Sequence, residues 1–138
     1  MHREIYTSGS PWESRVGYAR AVRAGDLIVV AGTTATDEEG GVVGQDDPYL
    51  QTRFILQKID RALRALGATM EDVIRTRMYV TDINRWEEIG RAHREVFAQV
   101  RPAATMVEVR RLVLPEMLVE IEVEARMGTP ERNAAIGD

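Results

Sequence analysis

The sequence predicts an α+β domain in which two helices lie over one face of a mixed β-sheet. Three observations carry that expectation. Residues 55–66 place Ile55, Ile59, Ala62, Leu63 and Leu66 on one stripe at helical spacing. Residues 119–126 alternate instead, with Val119, Ile121, Val123 and Ala125 on one face and Glu120, Glu122, Glu124 and Arg126 on the other. Such elements follow one another in the order β-β-(β)-α-β-α-β-β, with no internal repeat.

Taken in order, residues 1–15 are polar and include Gly9, Ser10 and Pro11, so a loosely ordered lead-in is expected. Tyr18–Val22 and Leu27–Ala31 read as two strands around the turn composition Arg23-Ala24-Gly25-Asp26. Gly32 directly after the second run marks a bulge or a close approach by a ligand or another backbone. Asp37–Gly41 should turn under Val42 and Val43. A helix capped by Asp46 or Asp47, with Pro48 in its first turn, ends at Gly67. Gln51, Arg53, Lys58, Arg61 and Arg64 are expected on its solvent side.

Thr69 and Asp72 fit the cap of a short turn leading into a strand over residues 73–80. There Thr76, Met78 and Val80 face one way, and Arg75, Arg77 and Tyr79 the other. Asp82 and Asn84 open a second helix to about Gln99, with Trp86, Ile89, His93 and Phe97 inward. Pro102 opens a final strand pair whose short connection contains Pro115, and residues 128–138 form a flexible tail. The sheet face away from the helices mixes Arg75, Arg77, Glu120 and Glu122 with apolar residues such as Met106. A face so mixed points to burial against another subunit.

The 138 residues suit a single domain spanning the whole chain. A net charge of −4, with arginines interleaved among acids, argues against a nucleic-acid partner. Zero cysteines remove thiolate chemistry and disulfides. With neither an apolar leader nor a run long enough to span a membrane, no membrane partner is expected and a cytoplasmic location is.

Gly40-Gly41-Val42-Val43-Gly44 lacks the Lys-Ser/Thr of a phosphate loop and reads as a hairpin turn. No metal or organic cofactor is implied. His93 has no partners at metal-ligand spacing and is read as a hydrogen-bonded core or interface histidine. Glu120 is the best acid–base candidate, because a carboxylate in a pocket can exchange protons with a bound water. Composition alone favours instead a surface or salt-bridged glutamate paired with Arg75 or Arg77. Tyr18, Thr33 and Thr105 offer hydroxyls.

In one order and spacing the chain carries Ala24-Gly25-Asp26-Leu27-Ile28-Val29-Val30-Ala31-Gly32, Val80-Thr81-Asp82-Ile83-Asn84 and Arg101-Pro102-Ala103. Val107-Glu108-Val109 and Val119-Glu120-Ile121-Glu122 complete the set. Over residues 16–127 it resembles the reactive-intermediate deaminase family, the RidA or YjgF-like proteins. That resemblance implies a chorismate-mutase-like two-layer fold, with three subunits joined through their sheets into a barrel and small-molecule pockets between neighbours. In deaminating members an arginine after the Pro-Ala pair clamps the carboxylate of a 2-imino acid, and a glutamate on the last strand positions water.

Carried over residue by residue, the resemblance places Glu120 at the glutamate, Tyr18 at the tyrosine of the pocket mouth and Gly32 at the glycine. Ala104 stands where the arginine is expected, Met106 at the small polar or cysteine position, and Ala31 at the serine. Gly90 replaces the usual asparagine, and His93 a common aromatic. Arg77 occupies a strand position where a small hydroxyl residue is usual. It can supply a displaced anion site or neutralise Glu108, Glu120 or Glu122. The resemblance thus implies a homotrimer binding a small metabolite, with weak or absent 2-imino-acid deamination, and Glu120-directed hydrolysis of an imine, enamine or related C–N bond if it is an enzyme. A non-catalytic ligand-binding or protein-stabilising trimer is the alternative, and a ribonuclease the third reading.

Overall fold

The computed structural model describes residues 2–128, so the expected tail, apart from Gly128, lies outside the described residues. In chain order the elements are β1 (Arg3–Tyr6), α1 (Pro11–Val16), β2 (Ala21–Ala24), β3 (Leu27–Thr33), α2 (Pro48–Ala65), β4 (Val73–Val80), α3 (Trp86–Phe97), β5 (Ala103–Glu108) and β6 (Val119–Arg126). The strands form one mixed sheet ordered β1-β2-β3-β6-β4-β5, all pairs antiparallel except β4 with β5. The α+β architecture expected from the sequence is the one observed.

The core lies between the sheet and the two long helices. Ile55, Leu56, Ile59 and Leu63 of α2 and Ile89 of α3 meet Ile28, Val30, Val80, Val119, Ile121 and Val123 of the sheet. Each of these large side chains contributes about 2 kcal/mol by leaving water. Asp47 caps α2 by accepting from Leu50 N, with Pro48 in its first turn. A capping box built by Thr69 and Asp72 closes the 3₁₀ turn Met70–Asp72 that launches β4.

Several details differ from the sequence reading. The lead-in is ordered: Arg3 to Tyr6 pair with Ala24 to Ala21, and Ser10, Pro11 and left-handed Gly17 bound a short helix. A polar edge strand carries no apolar alternation, so it leaves little trace in a sequence. β2 begins only at Ala21, although Ala31 N still donates to Arg20 O at 2.9 Å. The last two strands are not partners. β5 reaches β4 in parallel after α3, while β6 inserts between β3 and β4, so residues 109–118 carry the chain past the end of β4. Because Met106 stands in register with Met78, it lies on the helix side rather than the open face.

Two residues of α2 assigned to solvent belong inside. Gln51 is fully buried, donating to Gly44 O and Glu116 O and accepting from Leu118 N. It ties the helix to both loops that flank it, a role that needs an amide rather than an apolar group. Lys58 turns its ammonium onto Thr34 O, Thr36 O and Thr36 Oγ1. In the second helix Trp86 is exposed, and Ala92 packs inward with Ile89 and Phe97.

Gln51→Leu keeps the volume but removes the side-chain partner of Glu116 O and Leu118 N, while Gly44 O retains Asp47 N. It is expected to cost about 3 kcal/mol, measured as a lower urea midpoint at unchanged slope.

Candidate functional site

Glu120 sits on β6 opposite Tyr79 of β4, on the sheet face away from the helices. Its carboxylate lies directly against Gly32: a Cβ built there would stand 2.0 Å from Glu120 Oε2. The register of β3 with β6 shifts between Val30 and Thr33, which lets Gly32 bulge beside β6. Only a residue without a side chain leaves this place to the carboxylate. Burial pushes the Glu120 carboxyl above the usual carboxylate range, the positive charge of Arg20 opposes the rise, and Glu122 adds to it.

Around this pair lies a cavity of about 170 Å³. Trp12, Val16, Val113 and Met117 supply apolar walls, and Tyr18, Arg20, Thr34, Thr36 and Lys58 supply polar ones. Arg20 is buried, with Nη1 donating to Gly32 O at 2.6 Å and to Thr33 Oγ1 at 3.2 Å. Its Nη2 donates to Tyr18 Oη at 3.1 Å and its Nε to the buried Glu13 at 3.4 Å. Glu13 also accepts from the Ser8 backbone N–H and hydroxyl. Burial, helped by repulsion from Arg20 and Arg61, lowers the Lys58 pKa to about 8.

Five of the residues expected from the sequence therefore gather at one place. Tyr18, Gly32 and Glu120 line the cavity. Ala31 and Thr33 stand behind it, the Thr33 hydroxyl donating to Ala31 O and accepting from Arg20. Arg20, Glu13 and Lys58 escaped the sequence reading. An arginine within a β-like run beside Tyr18 was the available signal, but its burial depends on a carboxylate from α1.

The remaining candidates lie elsewhere. Ala104 and Met106 of β5 stand in register with Thr76 and Met78, on the helix side of the sheet. There Thr76 Oγ1 and His93 Nε2 share a 2.9 Å hydrogen bond, and the His93 ring packs on Phe97 at 4.7 Å. Burial holds the His93 pKa below its ordinary value. A Cβ added at Gly90, on the same helix, would meet the Trp86 ring at 3.9 Å. Thr105 stands in register with Arg77 on the open face. Arg77 Nη1 reaches Glu122 at 3.3 Å and Glu124 at 3.2 Å, while Arg75 pairs with Glu124. Glu108, another acid considered for Arg77, instead accepts from Ile83 N.

A larger groove of about 720 Å³ runs between α2 and α3, but none of these candidates lines it. Among the described residues no group of three or more histidine, cysteine or carboxylate side chains is arranged to hold a metal. No helix among them is long and apolar enough to cross a membrane.

Fold and pocket together define a chorismate-mutase-like α+β protein with a carboxylate lining a small cavity. Residues 8–127 match the family model described as Endoribonuclease L-PSP, and the chain belongs to that family, which includes the YjgF and RidA proteins. It is similar to a solved member of the YjgF/YER057c/UK114 family from Mycobacterium tuberculosis, with 50% identity and a TM-score of 0.84 over 91% of this chain and 100% of the other. It shares 43% identity with an uncharacterized protein of Streptomyces coelicolor, covering 88% of this chain and 90% of that one. A RutC family protein of Pyrococcus horikoshii is 33% identical over 91% of this chain and 98% of its own length.

Gly32→Ala is expected to cost about 1 kcal/mol or less, since the flexible end of Glu120 can move. The same substitution should return the Glu120 titration, followed by carboxyl ¹³C NMR, toward the ordinary carboxylate range. Because folding raises this pKa, Glu120's contribution is fully present below the ordinary carboxylate value and is lost as pH rises through the folded value. The urea midpoint of Glu120→Gln should therefore gain on wild type as pH rises across that window. His93 carries the opposite sign: its contribution is present above 6.5 and lost as pH falls through its lowered value, which its ring NMR titration checks.

Proposed function

We propose that this chain forms a cytoplasmic homotrimer that binds a small metabolite in clefts between subunits and hydrolyses an imine, enamine or related C–N bond there. The observation that carries the reading is the Glu120 carboxylate, held against Gly32 in a cavity with a pKa raised by burial. A carboxyl with an affinity for protons closer to neutral is better matched to taking and returning one.

For an imine, Glu120 accepts a proton from water as the water oxygen bonds to the imine carbon and the C=N electron pair moves to nitrogen. Protonation of that nitrogen lets the C–N bond break as the C=O bond forms. Water and imine become carbonyl compound and ammonia.

Assembly is supported by the sheet. β5 is an edge strand whose Ala103, Ala104, Thr105 and Val107 are exposed. β4 separates it from β6, and Ala104 lies on the opposite sheet face from Glu120, so one chain alone does not join the two. A neighbouring copy that docks its β5 edge near the Glu120 cavity would complete a shared cleft. Alanine there brings no charge, and the walls of Trp12, Val16, Val113 and Met117 favour an apolar ligand body over a second carboxylate.

Ala104 and Met106 also favour a second reading, a trimer that binds a ligand without turning it over. An RNA substrate is disfavoured by the net charge of −4.

The test generates 2-iminobutyrate with a dehydratase and follows its hydrolysis by wild type, Ala104→Arg and Glu120→Ala. Wild type should be slow, and Ala104→Arg faster by about tenfold or more, as one charge-assisted contact provides. Fast wild-type turnover would show that the arginine is dispensable. An Ala104→Arg rate that survives Glu120→Ala in the double variant would remove Glu120 from the chemistry. Sedimentation equilibrium should give three times the chain mass of 15.5 kDa, and a stable monomer would defeat the shared cleft.

A further inference from the structure

Arg20 is the most heavily bonded side chain at the pocket, and nothing in the proposed chemistry uses it directly. Four acceptors hold it: Gly32 O, Thr33 Oγ1, Tyr18 Oη and a Glu13 carboxylate oxygen. Three of these acceptors belong to residues around Glu120, and the fourth comes from α1. Arg20 and Glu13 are both nearly excluded from solvent, with side-chain exposures of 9% and 4%. A guanidinium so buried keeps its charge and needs an anion beside it. Glu13 is that anion, and it is positioned in turn by the Ser8 backbone N–H and hydroxyl.

We propose that Arg20 is the positioning residue of the Glu120 pocket, fixing the Gly32 carbonyl and the Tyr18 and Thr33 hydroxyls while presenting a permanent positive charge to Glu120. Glu13 anchors it, which makes α1 a working part of the site rather than a lead-in. Gly32 connects the two halves: its carbonyl is held by Arg20, and its bare Cα receives the Glu120 carboxylate. The position of the carboxylate thus depends on the guanidinium through one peptide. The inference rests on Glu120 marking the functional pocket, but its test requires no substrate.

Glu120 faces charged or titratable groups from several elements. Glu122 lies along β6, and Tyr79 opposite on β4. Tyr18 and Arg20 precede β2, and Lys58 comes from α2. Beyond burial itself, Arg20 favours the ionised form and Glu122 disfavours it. Removing Arg20 should therefore move the titration in one direction.

The experiment follows the Glu120 carboxyl by ¹³C NMR from acid to neutral pH in the intact protein, with Glu120→Gln identifying the signal. Arg20→Gln is expected to raise the midpoint by about one pH unit, a tenfold change in proton affinity. Arg20→Lys, which keeps the charge, should stay close to wild type. Since Arg20→Gln leaves Glu13 buried without its partner and can fail to fold, the double variant Glu13→Gln with Arg20→Gln removes both charges and should show the same upward shift. An unchanged midpoint in the double variant, or one in Arg20→Lys displaced as far as in Arg20→Gln, would overturn the charge role. In wild type the Arg20 Nε–H should exchange slowly with solvent. Fast exchange there would overturn the positioning role without any variant.

Discussion

The rest of the structure depends on the register of β6. This strand lies between β3 and β4, and its alternation sends Val119, Ile121, Val123 and Ala125 into the helix-covered core. The same alternation leaves Glu120, Glu122 and Glu124 on the open face. A slip of one residue would exchange the two sets, burying three carboxylates under α2 and α3. With the register held, each glutamate meets a different environment. Glu122 and Glu124 face arginines of β4, whereas Glu120, nearest the bulged end of β3, meets the bare Cα of Gly32.

The second constraint is polar burial along the irregular chain after Val30. A bulge and a loop expose carbonyls to which no neighbouring strand donates, and such groups need partners when buried. Arg20 takes the Gly32 carbonyl, Lys58 those of Thr34 and Thr36, and Gln51 those of Gly44 and Glu116. Three long polar side chains thus hold the backbone of one pocket wall and the loops beside it. The buried Glu13–Arg20 pair is weak evidence for stability by itself, because desolvation offsets much of the attraction. What it secures is geometry at the place where Glu120 must sit.

The opposite edge of the sheet has a separate character. His93 and Thr76 bond each other under β5, and Ala104 and Met106 share their face of the sheet. The match to the Endoribonuclease L-PSP family spans residues 8–127, which takes in both the Glu120 cavity and this β5 edge. Glu120 on the inner strand β6 and Ala104 on the β5 edge hold different parts of the site expected from the sequence, and they lie on opposite faces of the sheet in one chain. Any reading that joins them needs a second copy.

Much of this was legible in the residues. The stripe on α2, the alternation in β4 and β6, the caps at Asp47 and Thr69 and the turn at Gly25 all follow from local periodicity and backbone chemistry, which a single segment carries within itself. The Glu120–Gly32 contact was legible only as two suspicious residues, a carboxylate on an alternating strand and a glycine ending another. The polar edge strand, helix α1, the insertion of β6 between β3 and β4 and the inward turn of Gln51 and Lys58 were not legible. Each depends on a partner far along the chain, as Glu13 does for Arg20 and Glu116 does for Gln51. Local pattern determined the two long helices, the alternating strands β4 and β6, and the apolar stripe or face that each buries. Tertiary structure alone decided which polar groups are desolvated together, because burial of a charge is settled by what surrounds it and not by its neighbours in sequence.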